Sequence, residues 1–331
     1  MLGRAADALY WVGRYVERAD NLARLIDVGR RTAVVPGPKA SDWEDIIRSS
    51  GCADPFFARY DHADRDSVVQ FLLYADDSDC SIRSCLRLAR SNARVVRTSL
   101  TAEMWEVIDG AWRTVQRWDR QRRRSEELRA TLSWIKRRCA LFRGVTESTV
   151  LRHEGYDFLN LGTYLERADC TARILDVRHT ALAAEGWDRE DAHSPPPEVE
   201  AGARHHWITI LRASSSVRAY HWAYRSDYRP DNIVDLLVLN AYCSRSLGHC
   251  LEAASERLER LARIYARRLD CHTLSRGLLD ELRGDGLAGE LAEDLHGFLT
   301  DFIARNNALS NQIALDYHFS PPPRREAAAT G

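Results

Sequence analysis

The tract Leu9-Tyr10-Trp11-Val12-Gly13-Arg14-Tyr15-Val16-Glu17-Arg18-Ala19-Asp20-Asn21-Leu22-Ala23-Arg24-Leu25-Ile26-Asp27-Val28 returns 149 residues later as Phe158-Leu159-Asn160-Leu161-Gly162-Thr163-Tyr164-Leu165-Glu166-Arg167-Ala168-Asp169-Cys170-Thr171-Ala172-Arg173-Ile174-Leu175-Asp176-Val177. Half of the paired positions are identical, and the retained ones include Glu17/Glu166, Arg18/Arg167, Asp20/Asp169, Arg24/Arg173 and Asp27/Asp176. On the solvated face of an amphipathic helix one polar residue replaces another at little cost. Five charges kept in register therefore point to specific partners.

The duplication runs further. Trp43 with Ile46-Ile47 matches Trp207 with Ile210-Leu211, Tyr60 matches Tyr224, the run from Asp66 to Leu73 matches that from Asp231 to Val238, and Ser81 and Cys85 match Ser246 and Cys250. Apolar residues recur at spacings of three and four almost throughout, with no sustained alternation. The expected fold is all-α: a helical bundle of two tandem, pseudo-twofold-related copies of a multi-helix unit, over 1–150 and 151–319, with a disordered tail over 320–331. Helix breaks are expected at Pro36-Gly37-Pro38, around Gly51 to Pro55, at Gly144 and at Ser194-Pro195-Pro196-Pro197. Asp66 and Asp231 precede apolar runs, where an N-cap is wanted.

Apolar residues make up 45% of the 331-residue chain, enough for a sizeable core, and the formal net charge of −1 leaves no global field to recruit nucleic acid or membrane. Arg4, Asp7, Arg14 and Glu17 interrupt the N-terminal region, which reads as neither a signal peptide nor a membrane span, so a cytoplasmic location is expected. The eight cysteines form no Cys-x-x-Cys pair and read as reduced core thiols, not as a disulfide framework or a zinc site. The basic run Arg113, Arg117, Arg120, Arg122, Arg123 and Arg124 reads as a solvated helix end, and His205, His206 and His221 lack metal-ligand spacing. No Gly-rich phosphate loop or nucleophile elbow is present.

At about 100° per residue, Arg18 projects within the apolar face of its helix between Leu25 and Trp11, and Arg167 lies likewise among Ile174, Tyr164 and Leu175. A guanidinium aimed into a core needs a carboxylate or several carbonyls. It either staples its helix to another or grips a ligand. Around the other side, Arg14, Glu17, Asp20, Asn21, Arg24 and Asp27 share one strip, with Asp20–Arg24 and Arg24–Asp27 at pairing distance along the helix. Were the copies to face each other, the two strips would form a cleft of carboxylates and arginines, able to bind a metal, an amine or a phosphorylated group, or to act as general acid and base.

The start Met1-Leu2-Gly3-Arg4-Ala5-Ala6-Asp7-Ala8-Leu9-Tyr10-Trp11, the tract Arg14 to Asp20, the stretch Ala89-Arg90-Ser91-Asn92-Ala93-Arg94, and Glu154 to Leu159 leading into Leu165-Glu166-Arg167-Ala168-Asp169 resemble the bacterial alpha-E family over nearly the whole chain. Ser91 stands where that family usually has Glu, and Thr163 where the second copy often has Arg. The resemblance implies an all-helical protein encoded with, or fused to, a circularly permuted ATP-grasp amidoligase, often beside a transglutaminase-like peptidase, in systems that make or modify peptides.

Three functions follow as expectations. In the first, the protein is the helical partner of such a ligase and holds a peptide, amine or carboxylate substrate. Arg14, Arg18, Asp20, Arg24, Arg167, Asp169 and Arg173 would bind the substrate, while Glu17 and Glu166 would bind the amine or position it. In the second, it is a hydrolase or acyl transferase in its own right, with Glu17 or Glu166 as general base. In the third, it is a scaffold in which the tract only joins two halves. No metal is assigned and the cofactor is left open.

Overall fold

The spacing that repeats in the two charged tracts is carried by two long helices, α1 (Gly3–Thr32) and α8 (Glu154–Ala184). Both are rich in Ala, Leu and Arg and free of proline, as a long helix requires. The computed structural model describes residues 1, 3–32, 41–118, 125–184, 206–225 and 228–319. Among these no strand occurs, and no helix is long and apolar enough to cross a membrane.

After α1 come α2 (Ser41–Ser49), the short α3 (Ala53–Phe57), α4 (Arg65–Val69) running into a π-helical turn (Gln70–Tyr74), α5 (Ile82–Val95), α6 (Ala102–Val115) and α7 (Ser125–Thr149). After α8 come α9 (206–213), α10 (Val217–Tyr224), α11 (Pro230–Val234) running into a second π-helical turn (Asp235–Leu239), α12 (Leu247–Tyr265), α13 (Asp270–Leu282), α14 (Leu287–Glu293) and α15 (Leu295–Asp316). Local chemistry matches across the two series. Ser81 caps α5 through Ser84 N and donates its hydroxyl to Ala75 O; Ser246 caps α12 through His249 N and donates to Asn240 O.

α1 and α8 pack against each other at the centre. α5 and α7 cover α1, while α12 and α15 cover α8. Their crossing is close because both helices carry glycine there. A Cβ on Gly13 would collide with the Leu159 carbonyl oxygen, and one on Gly162 with the Tyr10 carbonyl oxygen. A glycine inside a helix costs up to about 1 kcal/mol relative to alanine; here the missing side chain lets two backbones touch. Farther along α1, Trp43 and Ile46 of α2 fill the space over Gly29, and Trp207, Ile210 and Leu211 of α9 are likewise buried.

Several expectations are corrected. Gly144 does not end a helix: it lies inside α7, and no atom stands within 4 Å of where its Cβ would be. Asp66 and Asp231 are first-turn residues rather than caps. Asp64 caps α4 in a reciprocal arrangement with Ser67, and Arg229 precedes α11, whose first position is Pro230. Cys52 and Cys80 form a disulfide between the start of α3 and the turn before α5, while Cys85, Cys139, Cys170, Cys243, Cys250 and Cys271 are free and buried. The sequence signal failed there because the pair is brought together by the fold, 28 residues apart, with no short motif. The breaks at Pro36-Gly37-Pro38 and Ser194 to Pro197, residues 120–124 of the basic run, His205 and the tail 320–331 lie outside the described residues.

Candidate functional site

The carboxylate that Arg18 needs comes from α8. Its Nε donates to Glu166 Oε1 at 2.6 Å and its Nη2 to Glu166 Oε2 at 3.0 Å. Arg167 of α8 does the same in reverse, Nε to Glu17 Oε1 at 2.8 Å and Nη2 to Glu17 Oε2 at 3.1 Å. Each Glu-Arg dipeptide thus gives its glutamate to one bidentate pair and its arginine to the other, clamping α1 to α8 about one helical turn past the glycine crossing.

The remaining partners differ between the two sides. At Glu166, Arg14 supplies a second guanidinium, Nε to Oε2 at 2.8 Å, and its Nη1 reaches Ser310 Oγ of α15 at 2.7 Å. Thr163 occupies the corresponding place on α8. Its side chain is too short to copy that contact, and its hydroxyl donates instead to the Leu159 carbonyl in its own helix. Glu17 is served from elsewhere: Arg143 of α7 donates Nη1 to Oε2 at 2.9 Å, and Arg245, just before α12, approaches Oε1 at 3.4 Å.

Asp20 extends this side. Its Oδ2 accepts from Arg24 and Arg143, and from Arg245, whose Nη1 holds Asn21 Oδ1 at 2.8 Å. Four guanidiniums thus surround two carboxylates, leaving a surplus of two positive charges in a region where Glu17 and Asp20 are fully buried. Burial alone would push the Glu17 carboxyl up, but Arg167, Arg245 and Arg143 outweigh it and hold it well below the usual carboxylate range. Glu166 is held down in the same way, burial being overcome by Arg18 and Arg14. Burial pushes the Arg245 guanidinium below its ordinary value, the cost of crowding a buried cation among others.

The strip opposite the apolar face is therefore more deeply buried than Arg18 itself. Arg14, Glu17, Asp20, Asn21 and Asp27 are all buried, whereas the Arg18 side chain keeps 27% of its surface exposed. Glu17, Asp20, Arg24 and Arg167 come together in one network, and Glu166, Arg14 and Arg18 in another. Asp169 and Arg173 pair with each other at 2.8 Å. The expected Arg24–Asp27 pair does not form: Arg24 turns to Asp20 and Ser215, and Asp27 is taken by Arg30, Arg31 and Lys136.

Beside the Glu17 side of the clamp lies a cavity of about 240 Å³ between α1, α7 and α8. Val16, Phe142, Leu159 and Tyr164 supply apolar wall, while Arg143, Arg167 and Glu147 supply charge. Thr163 also lines it, so the short side chain at that position helps to leave the space open. Glu147 accepts the Tyr156 hydroxyl at 2.7 Å on the far side. Among the described residues no group of three or more His, Cys, Asp or Glu could hold a metal ion.

Sequence reasoning missed Arg143, Arg245 and Ser310. Arg245 falls where the first series has Cys80, so comparing the copies hid it. Arg143 sits in a helix whose charge spacing is ordinary.

Residues 1–318 match the family Alpha-E, described as a predicted alpha-helical domain with a conserved ER motif. An uncharacterized protein of Mycobacterium bovis is 26% identical over 89% of this chain and 35% of its own length. An uncharacterized protein of Mycobacterium tuberculosis strain H37Rv matches with the same identity and coverage. The chain thus spans about a third of the length of these curated relatives. No solved structure matches. With the match extending from the first residue past the end of α15, and with Glu17-Arg18 and Glu166-Arg167 forming the clamp at its centre, the chain belongs to the Alpha-E family.

Proposed function

We propose that this chain is the substrate-holding helical partner of an ATP-grasp amidoligase. In this reading it consists of two copies of one unit, 1–150 and 151–319, related by an approximate twofold axis at the α1–α8 crossing, and the cavity beside the clamp receives a carboxylate-bearing peptide or small amine. The class of partner comes from the family resemblance. The reciprocal contacts Gly13–Leu159 and Gly162–Tyr10, and Arg18–Glu166 and Arg167–Glu17, support the twofold arrangement.

The observation that carries the binding role is the pair of guanidiniums, Arg143 and Arg167, on the Glu17 wall of an otherwise largely apolar cavity, backed by the wider network in which four guanidiniums surround Glu17 and Asp20. Arg143 and Arg167 meet a carboxylate there, and Glu147 offers an acceptor for an amine. The glutamates of the clamp are poorly suited to the general-base role. A base must take up a proton near the working pH, and both Glu17 and Glu166 are held ionised far below it by guanidiniums that occupy their oxygens. Their part is to anchor the arginines and the two helices.

The test is reconstitution with the ATP-grasp ligase, following ATP consumption and ligated product. Thr163→Arg restores at α8 the side-chain type that α1 carries at Arg14 and fills the cavity. It should cut product formation at least tenfold while the circular dichroism spectrum is unchanged. Full activity of the folded variant would remove the cavity from the function, and a ligase equally active without this chain would remove the partnership.

A further inference from the structure

One turn beyond the clamp, α1 contributes Arg24, Asp27, Val28 and Arg31 to a second cavity of about 290 Å³, whose other walls are Lys136 of α7, Arg212 of α9 and Ser215, Val217 and Arg218 at the start of α10. Five cationic side chains face this space with one carboxylate among them. That carboxylate is already shared: Asp27 Oδ1 accepts from Arg30 at 2.9 Å, and Oδ2 from Lys136 at 2.9 Å and Arg31 at 3.3 Å. Burial would raise Asp27, but Lys136 and Arg30 hold its carboxyl below the ordinary range, so it stays ionised and fully engaged. Arg24 is fixed in place by Asp20 behind it and by Ser215 Oγ at 2.9 Å in front.

Arg212 and Arg218 are exposed, and among the described residues no carboxylate pairs with either. Cations crowded this closely repel one another unless an anion sits between them. The backbone adds to the field. α10 begins at this cavity, and the side chain of its N-cap, Ser216, accepts none of the helix's first N–H groups, so that end of the helix carries no side-chain cap. Apolar lining is confined to Val28 and Val217. Among the described residues that line it there is no aromatic surface for a base or ring, only charge in a compact space, and arginine forks match phosphate oxygens.

We propose that this cavity binds a small phosphate-bearing polyanion, gripped by Arg24, Arg31, Lys136, Arg212 and Arg218. The site is separate from the cavity beside Glu17 and does not rest on the ligase partnership. The two cavities share no lining residue, and the Arg24–Asp20 contact couples occupancy here to the clamp.

The experiment is isothermal titration of the full chain with inorganic pyrophosphate, and separately with inorganic phosphate, in chloride buffer of fixed ionic strength. Saturable binding with one site per chain is expected, pyrophosphate being tighter than phosphate. The double variant Arg212→Ser/Arg218→Ser removes two exposed cations that have no carboxylate partner among the described residues and should keep the wild-type melting temperature without ligand while weakening pyrophosphate at least tenfold. Arg218→Ser alone gives a smaller loss and serves if the double variant is unstable. Heats no larger than those of sodium chloride at equal ionic strength would overturn the proposal, as would an unchanged dissociation constant in the folded variants.

Discussion

Arg18 and Arg167 hold each other's neighbours: the guanidinium of one clasps the glutamate that precedes the other, across the α1–α8 crossing. A clamp of this kind is costly to assemble and costlier to break, because removing one member strands a buried charge. Arg18→Ala leaves the buried Glu166 to Arg14 alone and should therefore destabilise the protein by about 1.5–3 kcal/mol in urea unfolding, the range of a lost charged hydrogen-bonded contact. Glu166→Gln should cost a similar amount, and the double change should cost less than their sum by about 1–3 kcal/mol. Additive losses in that cycle would mean that the pair carries no coupling energy.

The glycines at the crossing make a second, independent test. Gly13→Ala or Gly162→Ala places a methyl group against a carbonyl oxygen of the opposite helix, and the backbones must separate. Overpacking of this kind costs about 1–3 kcal/mol, and the movement also pulls the clamp out of register. Gly110→Ala and Gly144→Ala are the controls. Both glycines are helical and have open space at the Cβ position, so alanine should stabilise by up to about 1 kcal/mol through helix propensity. Opposite signs for the two sets, read as shifts in the unfolding midpoint, are the expected result.

The two helices of the clamp were legible because their charges repeat at one register and helical periodicity marks one face. That Arg18 and Arg167 need acceptors, on another helix or on a ligand, also followed from their position among apolar residues. Which carboxylates they meet did not follow, since helical spacing says nothing about how far one helix slides along its neighbour; the glycine contacts set that. Arg143 and Arg245 escaped for a related reason. Each comes from an element whose own sequence gives no sign of facing Glu17, and Arg245 has no counterpart in the first series. Asp66 and Asp231 look like caps in the sequence because acidic residues suit both the cap and the first turn, where the helix dipole favours them.

The Cys52–Cys80 bond predicts a measurable redox difference. Mass spectrometry after alkylation in denaturant without reductant should find six modified cysteines, and all eight after reduction. Closing a loop of this size stabilises by about 2–4 kcal/mol, so reductant should lower the melting temperature of the wild type and leave that of Cys52→Ser unchanged. Disulfides persist mainly in oxidising compartments. Full alkylation without reductant in protein taken directly from cells would show the pair reduced where the protein works, in line with the cytoplasmic location expected from the sequence.

Acid should weaken the fold through the clamp, because its glutamates resist protonation in the folded state and take up protons readily once the chain unfolds. Glu17 and Glu166 have folded-state values below the ordinary 4.5 of an unfolded chain, so the folded state binds fewer protons than the unfolded one as pH falls past that value. Their contribution is therefore complete above about pH 4.5 and is lost progressively below it, as the pH approaches their folded values. Asp157 runs the other way. Burial raises its carboxyl despite the pull of Arg260, so that group takes up a proton in the folded state first and partly offsets the loss. The urea midpoint should thus be level between pH 7 and 5 with respect to the clamp and fall steeply below pH 4.5. In Glu17→Gln and Glu166→Gln the whole curve should lie lower and its acid limb should be shallower, since the missing carboxylate no longer titrates. A limb equally steep in both variants would place the acid-sensitive groups outside the α1–α8 crossing.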